Sequence, residues 1–329
     1  MPRFSVRNIV VTVNILLLTA LVIHLKQVLW DRQLSPADLG TSHIPDELLD
    51  DAQFSKRRTA VVVAAQASEN ATWLDAYFPD WEKNIYRVDD ASAALTVPKN
   101  KGRESMVYLT YIIDNYDSLA DNVLFIHPNR YQWHNDDPDY DGLPMLRRFQ
   151  LPYLEKQGYV NIRCAWSLGC PAEIKPFEEE GEHREAVHAG GDYKQAFEHL
   201  FPGTKVPETV GVSCCAQFAA TREKIRERKK SEYVKYRQWI MDTDLKDSIS
   251  GRVMEYSWHM IFGKPPVHCP SEKECYCKTF GLCNLTCNGD RDCQGRYTLP
   301  PFSSLPDGWP YVGWNREDRE RAGPEDPFA

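Results

Sequence analysis

Side chains able to do chemistry concentrate in three stretches of this 329-residue chain. The densest is His127-Pro128-Asn129-Arg130, followed by Trp133-His134-Asn135-Asp136-Asp137. Histidine, asparagine and aspartate in one loop suit a cation or sugar hydroxyls, and Trp133 offers a flat face for a pyranose. A polar loop with structural histidines is the plainer reading. The second stretch is VPKNKGRES, residues 97–105. A helix starting there would aim backbone amides and Arg103 at an anion such as a diphosphate. The plainer reading is a capped helix with an exposed Arg103–Glu104 pair. In the third stretch Glu255, Trp258 and His259 share one helix face at i, i+3 and i+4. Glu255 and His259 there would be a base and its orienting partner, two metal ligands, or a structural pair packed on Trp258.

Familiar signatures are missing. The sequence has no G-x-G-x-x-G after its first apolar run, no Walker loop, no G-x-S-x-G and no H-E-x-x-H. Asp-x-Asp, common where a divalent ion holds a nucleotide-sugar, occurs four times: 137/139, 139/141, 242/244 and 290/292. Among 25 aspartates about two such matches arise by chance, so the pattern discriminates little.

These residues need elements to position them. TAVVVAA (59–65) and NVLFIH (122–127) are apolar runs short enough for buried strands, with weaker strand candidates at 84–88, 159–164 and 210–214. Helical spacing covers 101–116, with Asn100 as cap, and recurs at 143–156 (broken near Pro152), 192–201, 221–241 and 245–262. Alternating strands and helices predict a layered α/β fold with a mostly parallel sheet. The cluster after residue 127 would then sit at the carboxyl end of a central strand, where open α/β sheets bind ligands.

The ends of the chain speak to compartment. Residues 8–25, NIVVTVNILLLTALVIHL, follow Arg3 and Arg7 without an acid and predict a single-pass anchor with a luminal body. A cleaved signal peptide and a secreted protein are the alternative. None of the 10 cysteines precedes Cys164, and six crowd residues 269–293, which predicts a disulfide-stapled lobe; a zinc site is the alternative. Of the adjacent pair Cys214-Cys215, one is expected to bond elsewhere, because neighbours seldom bridge. The sequons at Asn70 and Asn284 fit a glycoprotein of the same compartment. The expected organisation is tail and anchor 1–25, stem 26–57, α/β luminal domain 58–265, Cys-rich lobe 266–297 and an irregular tail 298–329, with Trp309, Tyr311 and Trp314 docking onto the body. The total of 39 basic and 47 acidic side chains divides unevenly: residues 1–30 hold three basic groups and no acid, leaving 36 against 47 for the rest. Such an acidic body has no cationic excess for phosphate neutralisation, so nucleic acid is not an expected partner.

Blocks in order resemble a known family. VVVAAQASENATWL, the stretch VPKNKGRES through IHPNRYQWHN, CCAQFAATREKI, GRVMEYSWHMIFG and HCPSEKECYCKTFGLC are similar to a fungal family, domain of unknown function 3431. That family is in turn similar to GT-A-type glycosyltransferase-like proteins. The resemblance covers roughly residues 58–285. It rests on Asn100, Gly102, Arg103 and Glu104, on Cys215, Ala216, Gln217 and Phe218, and on Glu255, Trp258, Ile261 and Phe262. It implies a GT-A/Rossmann-like sheet and transfer of a sugar from a nucleotide-sugar to a small-molecule or glycan acceptor, by a type II protein facing the ER or Golgi lumen. Glu255, His134 and His259 are then the catalytic candidates. Asn100, Arg103, Glu104, His127, Arg130, Trp133 and Gln217 would bind substrate, and Asp136 and Asp137 a divalent cation, Mn²⁺ or Mg²⁺. The strand ending at His127 lacks an immediate Asp-x-Asp, which sets it apart from metal-dependent members. Two other classes remain: a membrane-tethered tailoring enzyme of secondary metabolism with a redox metal on histidines and acids, and a non-catalytic carbohydrate-binding module.

Overall fold

A computed structural model describes residues 57–182 and 188–320. The expected anchor at 8–25 and nearly all of the stem lie outside the described residues. Among the described residues no helix is long and apolar enough to cross a membrane.

The apolar runs form the expected strands β1 (Thr59–Ala65) and β3 (Asn122–Ile126), and β2 spans Glu82–Arg87. With β4 (Tyr159–Asn161) and β6 (Phe218–Thr221) they build one sheet in the order β2-β1-β3-β6-β4. β1 is parallel to both neighbours, while β6 runs antiparallel to β3 and to β4. The sheet is therefore mixed, which corrects the expectation of a mostly parallel one. Polarity is set by the route of the connections, and an apolar run reads the same in either direction. The candidate at 210–214 contributes only β5 (Gly211–Val212), paired with β7 (Val267–His268) in a separate two-stranded sheet. β6 itself, FAAT, is alanine-rich and short, and carries little strand signal.

Alternation along the strands buries both faces. Ala60, Val62, Val123, Phe125 and Phe218 point into one core, and Val61, Val63, Leu124, Ile126 and Ala219 into the other. The first core is closed by α2 (Glu104–Asp114), α5 (Gly190–Leu200), α7 (Lys230–Asp242), α8 (Asp247–Glu255) and α9 (Trp258–Ile261). The second lies under α1 (Trp73–Tyr77), α3 (Gly142–Arg148), α4 (Leu151–Gln157) and α10 (Glu272–Phe280). Phe218 anchors the first core, with ring centroids 4.8 Å from Phe125 and 5.1 Å from Trp258. Truncating such a residue to alanine costs about 3–5 kcal/mol.

Several helices are shorter than the periodicity predicts. The helix expected at 221–241 divides into α6 (Arg222–Arg226) and α7. That expected at 143–156 breaks at Phe149–Gln150, because Pro152 is tolerated only in the first turn of α4. The five disulfides join Cys164–Cys275, Cys170–Cys269, Cys214–Cys215, Cys277–Cys283 and Cys287–Cys293. The first two, separated by 111 and 99 residues, tie the Cys-rich segment back to the body. In the chain-entropy view each contributes up to about 4.7 kcal/mol by restricting the unfolded chain. The adjacent cysteines do bridge each other, against expectation. In the tail, the Trp309 indole donates to the Asp139 carbonyl at 2.8 Å, as docking required, whereas Tyr311 stays exposed.

Candidate functional site

The order β2-β1-β3 has a consequence for ligands. The chain leaves β1 to one side for β2 and crosses to its other side for β3, which opens a crevice at the carboxyl ends of β1 and β3. A cleft of about 380 Å³ lies here, lined by Gln66 and Glu69 after β1, by Asn100, Arg103 and Glu104 before and at the start of α2, and by His127 after β3. A tighter recess of about 50 Å³ shares Arg103, Glu104, His127 and His134 with it and adds Trp133, Cys215, Ser248, Arg252 and Glu255. All three sequence stretches thus contribute to one place.

Local structure explains the convergence. Gly102 adopts φ +73° at the approach to α2, and a Cβ there would lie 2.6 Å from Ile240 Cγ2 of α7. Only glycine allows that closeness. Arg103 follows at φ 51°, with its N–H donating to Asp247 Oδ1 at 3.1 Å. Its stem lies over α8, where a Cβ on Gly251 would sit 2.9 Å from Arg103 Cγ. Asn100 lines the cleft but does not cap α2, whose first residue follows Arg103 directly.

His127 donates its backbone N–H to Gln217 Oε1 at 3.1 Å, and its Nε2 lies 2.9 Å from the Cys215 carbonyl. A carbonyl only accepts, so Nε2 carries the proton and Nδ1 is left as a base. The amide of Gln217 also donates to the His134 carbonyl at 3.0 Å, holding the two loops together. His127 and His134 stack at 4.3 Å, and Trp133 follows on His134 at 4.1 Å. Burial pushes His127 down to about 4 and His134 well below the usual histidine range, so both rings are neutral near pH 7. The buried His134 Nδ1 has no hydrogen-bond partner among the described residues.

Opposite the histidines, Glu255 Oε1 accepts the Cys215 N–H and Oε2 pairs with Arg252 Nη1 at 2.9 Å. Glu104 is pushed up to about 8, chiefly by burial and then by the charge of Glu255. The recess therefore holds one protonated carboxyl beside one ion-paired carboxylate. Sequence reasoning missed Arg252 and Ser248. Arg252 had a signal, since it stands three residues before Glu255 on the same helix face.

Other candidates lie elsewhere. Arg130 is bidentate to Asp141 at 2.9 Å, with its guanidinium 5.1 Å from the centroid of the Tyr77 ring. His259 is fully buried and bonds the Pro266 carbonyl at 2.9 Å, a core histidine pushed down to about 4 by burial. Gln217 acts as the loop clamp just described. The acceptor atoms of Asp136 are taken by the backbone N–H groups of Cys164 and Ala165 and by the Tyr276 hydroxyl, at 2.6, 3.1 and 2.7 Å. Asp137 Oδ1 accepts from Asp139 N–H at 2.9 Å and Asp141 N–H at 3.3 Å. Both aspartates border a different hollow, next to Met145 and Arg148. They do not fit the Mn²⁺ or Mg²⁺ role, and the carboxyl groups that do line the site are already engaged: Glu69 accepts the Gln66 N–H, Glu104 is protonated, and Glu255 pairs with Arg252. Nor do the histidines form a redox-metal set, because the stacked His127 and His134 rings hold their lone pairs in near-parallel planes 4.3 Å apart and His259 is buried elsewhere in the core. Among the described residues the one donor trio within 4.8 Å is Cys214, Cys215 and Glu255, and its sulfurs are bonded to each other. The sequon residues Asn70 and Asn284 are both exposed.

Comparison with known proteins returns one family, described as Protein of unknown function (DUF3431), whose profile matches residues 61–278. No curated protein and no solved structure shows a significant match.

Proposed function

The chain belongs to the DUF3431 family of proteins of unknown function, and from that premise we propose that it is a group-transfer enzyme of the glycosyl-transfer class, using a sugar diphosphate donor. The observation that carries the reading is the pairing of Glu104, pushed up to about 8, with the Arg252-bound Glu255 in one recess. A protonated carboxyl beside an ion-paired carboxylate is a usual arrangement for separate acid and base roles. Arg103 and Arg252 supply positive charge where a diphosphate would leave, and protonated Glu104 would hydrogen-bond an oxygen of that leaving group. Glu255 would take the proton of the acceptor hydroxyl as it attacks the anomeric carbon. The neutral His127–His134–Trp133 stack would form the wall against which the sugar packs. No step is assigned to a metal.

Five disulfides favour an oxidising compartment. The apolar segment 8–25 would then anchor this acidic body to the luminal face of a secretory membrane. The test is calorimetric titration of the full chain in detergent with a nucleotide-sugar panel, with and without Mn²⁺. Binding independent of Mn²⁺ and weakened at least tenfold by Arg103→Ala, together with loss of transfer in Glu255→Gln, supports the proposal. Absence of nucleotide-sugar binding at millimolar concentrations sinks it.

A further inference from the structure

Arg163 is 1% exposed, yet its guanidinium meets only neutral partners among the described residues. These are Cys215 Sγ at 2.8 Å, Ser167 Oγ at 3.3 Å, and the carbonyls of His134 and Trp133 at 3.4 and 3.5 Å. The Tyr297 ring lies 4.0 Å from Cζ, and Nε has no acceptor among the described residues. A buried guanidinium without a counter-anion is costly, and its shortest contact is to a sulfur that becomes an anion on reduction. We infer that Cys214–Cys215 is a thiol–disulfide exchange centre in the wall of the recess, reduced by a small dithiol to give a Cys215 thiolate neutralised by Arg163.

The step balances. One thiolate of the dithiol attacks Sγ of Cys215, a residue that lines the recess, and Cys214 leaves as a thiolate that takes up a proton. The second thiolate of the reagent attacks its own sulfur in the mixed disulfide, closing a cyclic disulfide and releasing Cys215 as the thiolate beside Arg163. Two electrons pass from the dithiol to the protein. Thermodynamics favours reducing this bond before the two long-range ones, because it joins adjacent residues and closes almost no chain, whereas Cys164–Cys275 and Cys170–Cys269 span 111 and 99 residues. The redox state also reaches the cleft directly. The Cys215 carbonyl accepts from His127, and its N–H donates to Glu255, so reshaping the turn at 214–216 moves both groups.

The inference stands apart from the glycosyl-transfer reading, since its readouts need no substrate. The full chain is equilibrated across dithiothreitol buffers of rising reducing strength, quenched with acid, alkylated and mapped by mass spectrometry. Cys214 and Cys215 should become modified together in a buffer at least tenfold less reducing than the one that opens Cys164–Cys275 or Cys170–Cys269. Persistence of the Cys214–Cys215 bond after either of those has opened overturns the inference. With the pair reduced, iodoacetamide alkylation of Cys215 is then followed against pH. An ordinary thiol reacts about 300-fold more slowly at pH 6 than at its plateau. Cys215 should lose less than tenfold, and Arg163→Lys should steepen the loss by displacing the cation. The ordinary 300-fold loss in the wild type refutes the Arg163 pairing, even if Arg163→Lys fails to fold.

Discussion

Glu104 offers the most direct test of the site's electrostatics. Its carboxyl goes from an ordinary 4.5 in the unfolded chain to about 8 in the fold, through burial and the charge of Glu255. A carboxyl raised in this way contributes its full stability below pH 4.5 and loses it as pH climbs through 8. At 1.36 kcal/mol per pH unit the gap corresponds to about 5 kcal/mol. Access of water through the cleft and relaxation of Arg103 and Arg252 reduce this, so a loss of about 2–4 kcal/mol is expected. Glutamine matches the protonated acid in shape and cannot ionise. Glu104→Gln should therefore lie within about 1 kcal/mol of the wild type in urea denaturation near pH 5 and become more stable by about 2–4 kcal/mol near pH 9. With disulfides intact, the difference between the two free energies is followed from pH 5 to 9. Parallel curves would refute the reasoning, because they would mean that Glu104 is already ionised in the fold at neutral pH.

The histidine pair gives a second pH signature. By ¹⁵N NMR, His127 should stay an Nε2–H tautomer down to a midpoint of about 4; with a lowered midpoint, its contribution to stability is present above pH 6.5 and lost as pH falls towards 4, and a midpoint near 6.5 would contradict the burial argument. Asp136→Asn should cost about 2–4 kcal/mol in urea denaturation, since an amide NH₂ would face the Cys164 and Ala165 N–H groups or the Tyr276 hydroxyl. The same variant should leave Mn²⁺ titrations unchanged, and a metal-binding defect would restore Asp136 to the site. Gly102→Ala should lower stability by about 1–3 kcal/mol and weaken binding of any diphosphate ligand, because its Cβ would collide with Ile240 and displace the start of α2. An unchanged midpoint would show that this approach tolerates a methyl group.

How far the site was legible depended on how local each cause is. The cluster at 127–134 was readable because a fully apolar run followed by polar residues marks the mouth of a buried strand, and the chain does open its cleft there. Arg103 and Glu255 were readable by type and helix position. Asp136 was misread for the same reason that made it attractive: two adjacent aspartates look like ligands, but backbone N–H groups 28 and 29 residues away had already claimed one of them. His259 shares a helix face with Glu255 in a straight helix, but the break at Tyr256–Ser257 separates them into α8 and α9. The charge pairing that sets Glu104 apart was invisible, because Glu255 is 151 residues further along the chain.

By itself the sequence determined the α/β character, the two central strands, the density of disulfides and the membership of a family. These follow from short-range pattern: hydrophobic period, cysteine count and ordered blocks of residues. Only the tertiary structure decided that β6 runs antiparallel, that Cys214 bonds its neighbour, and that the three chemical stretches share one crevice. Those outcomes depend on where the connections pass and on which buried groups meet across the sheet. Strand direction and long-range pairing are properties of the whole folded chain, and no local run of residues encodes them.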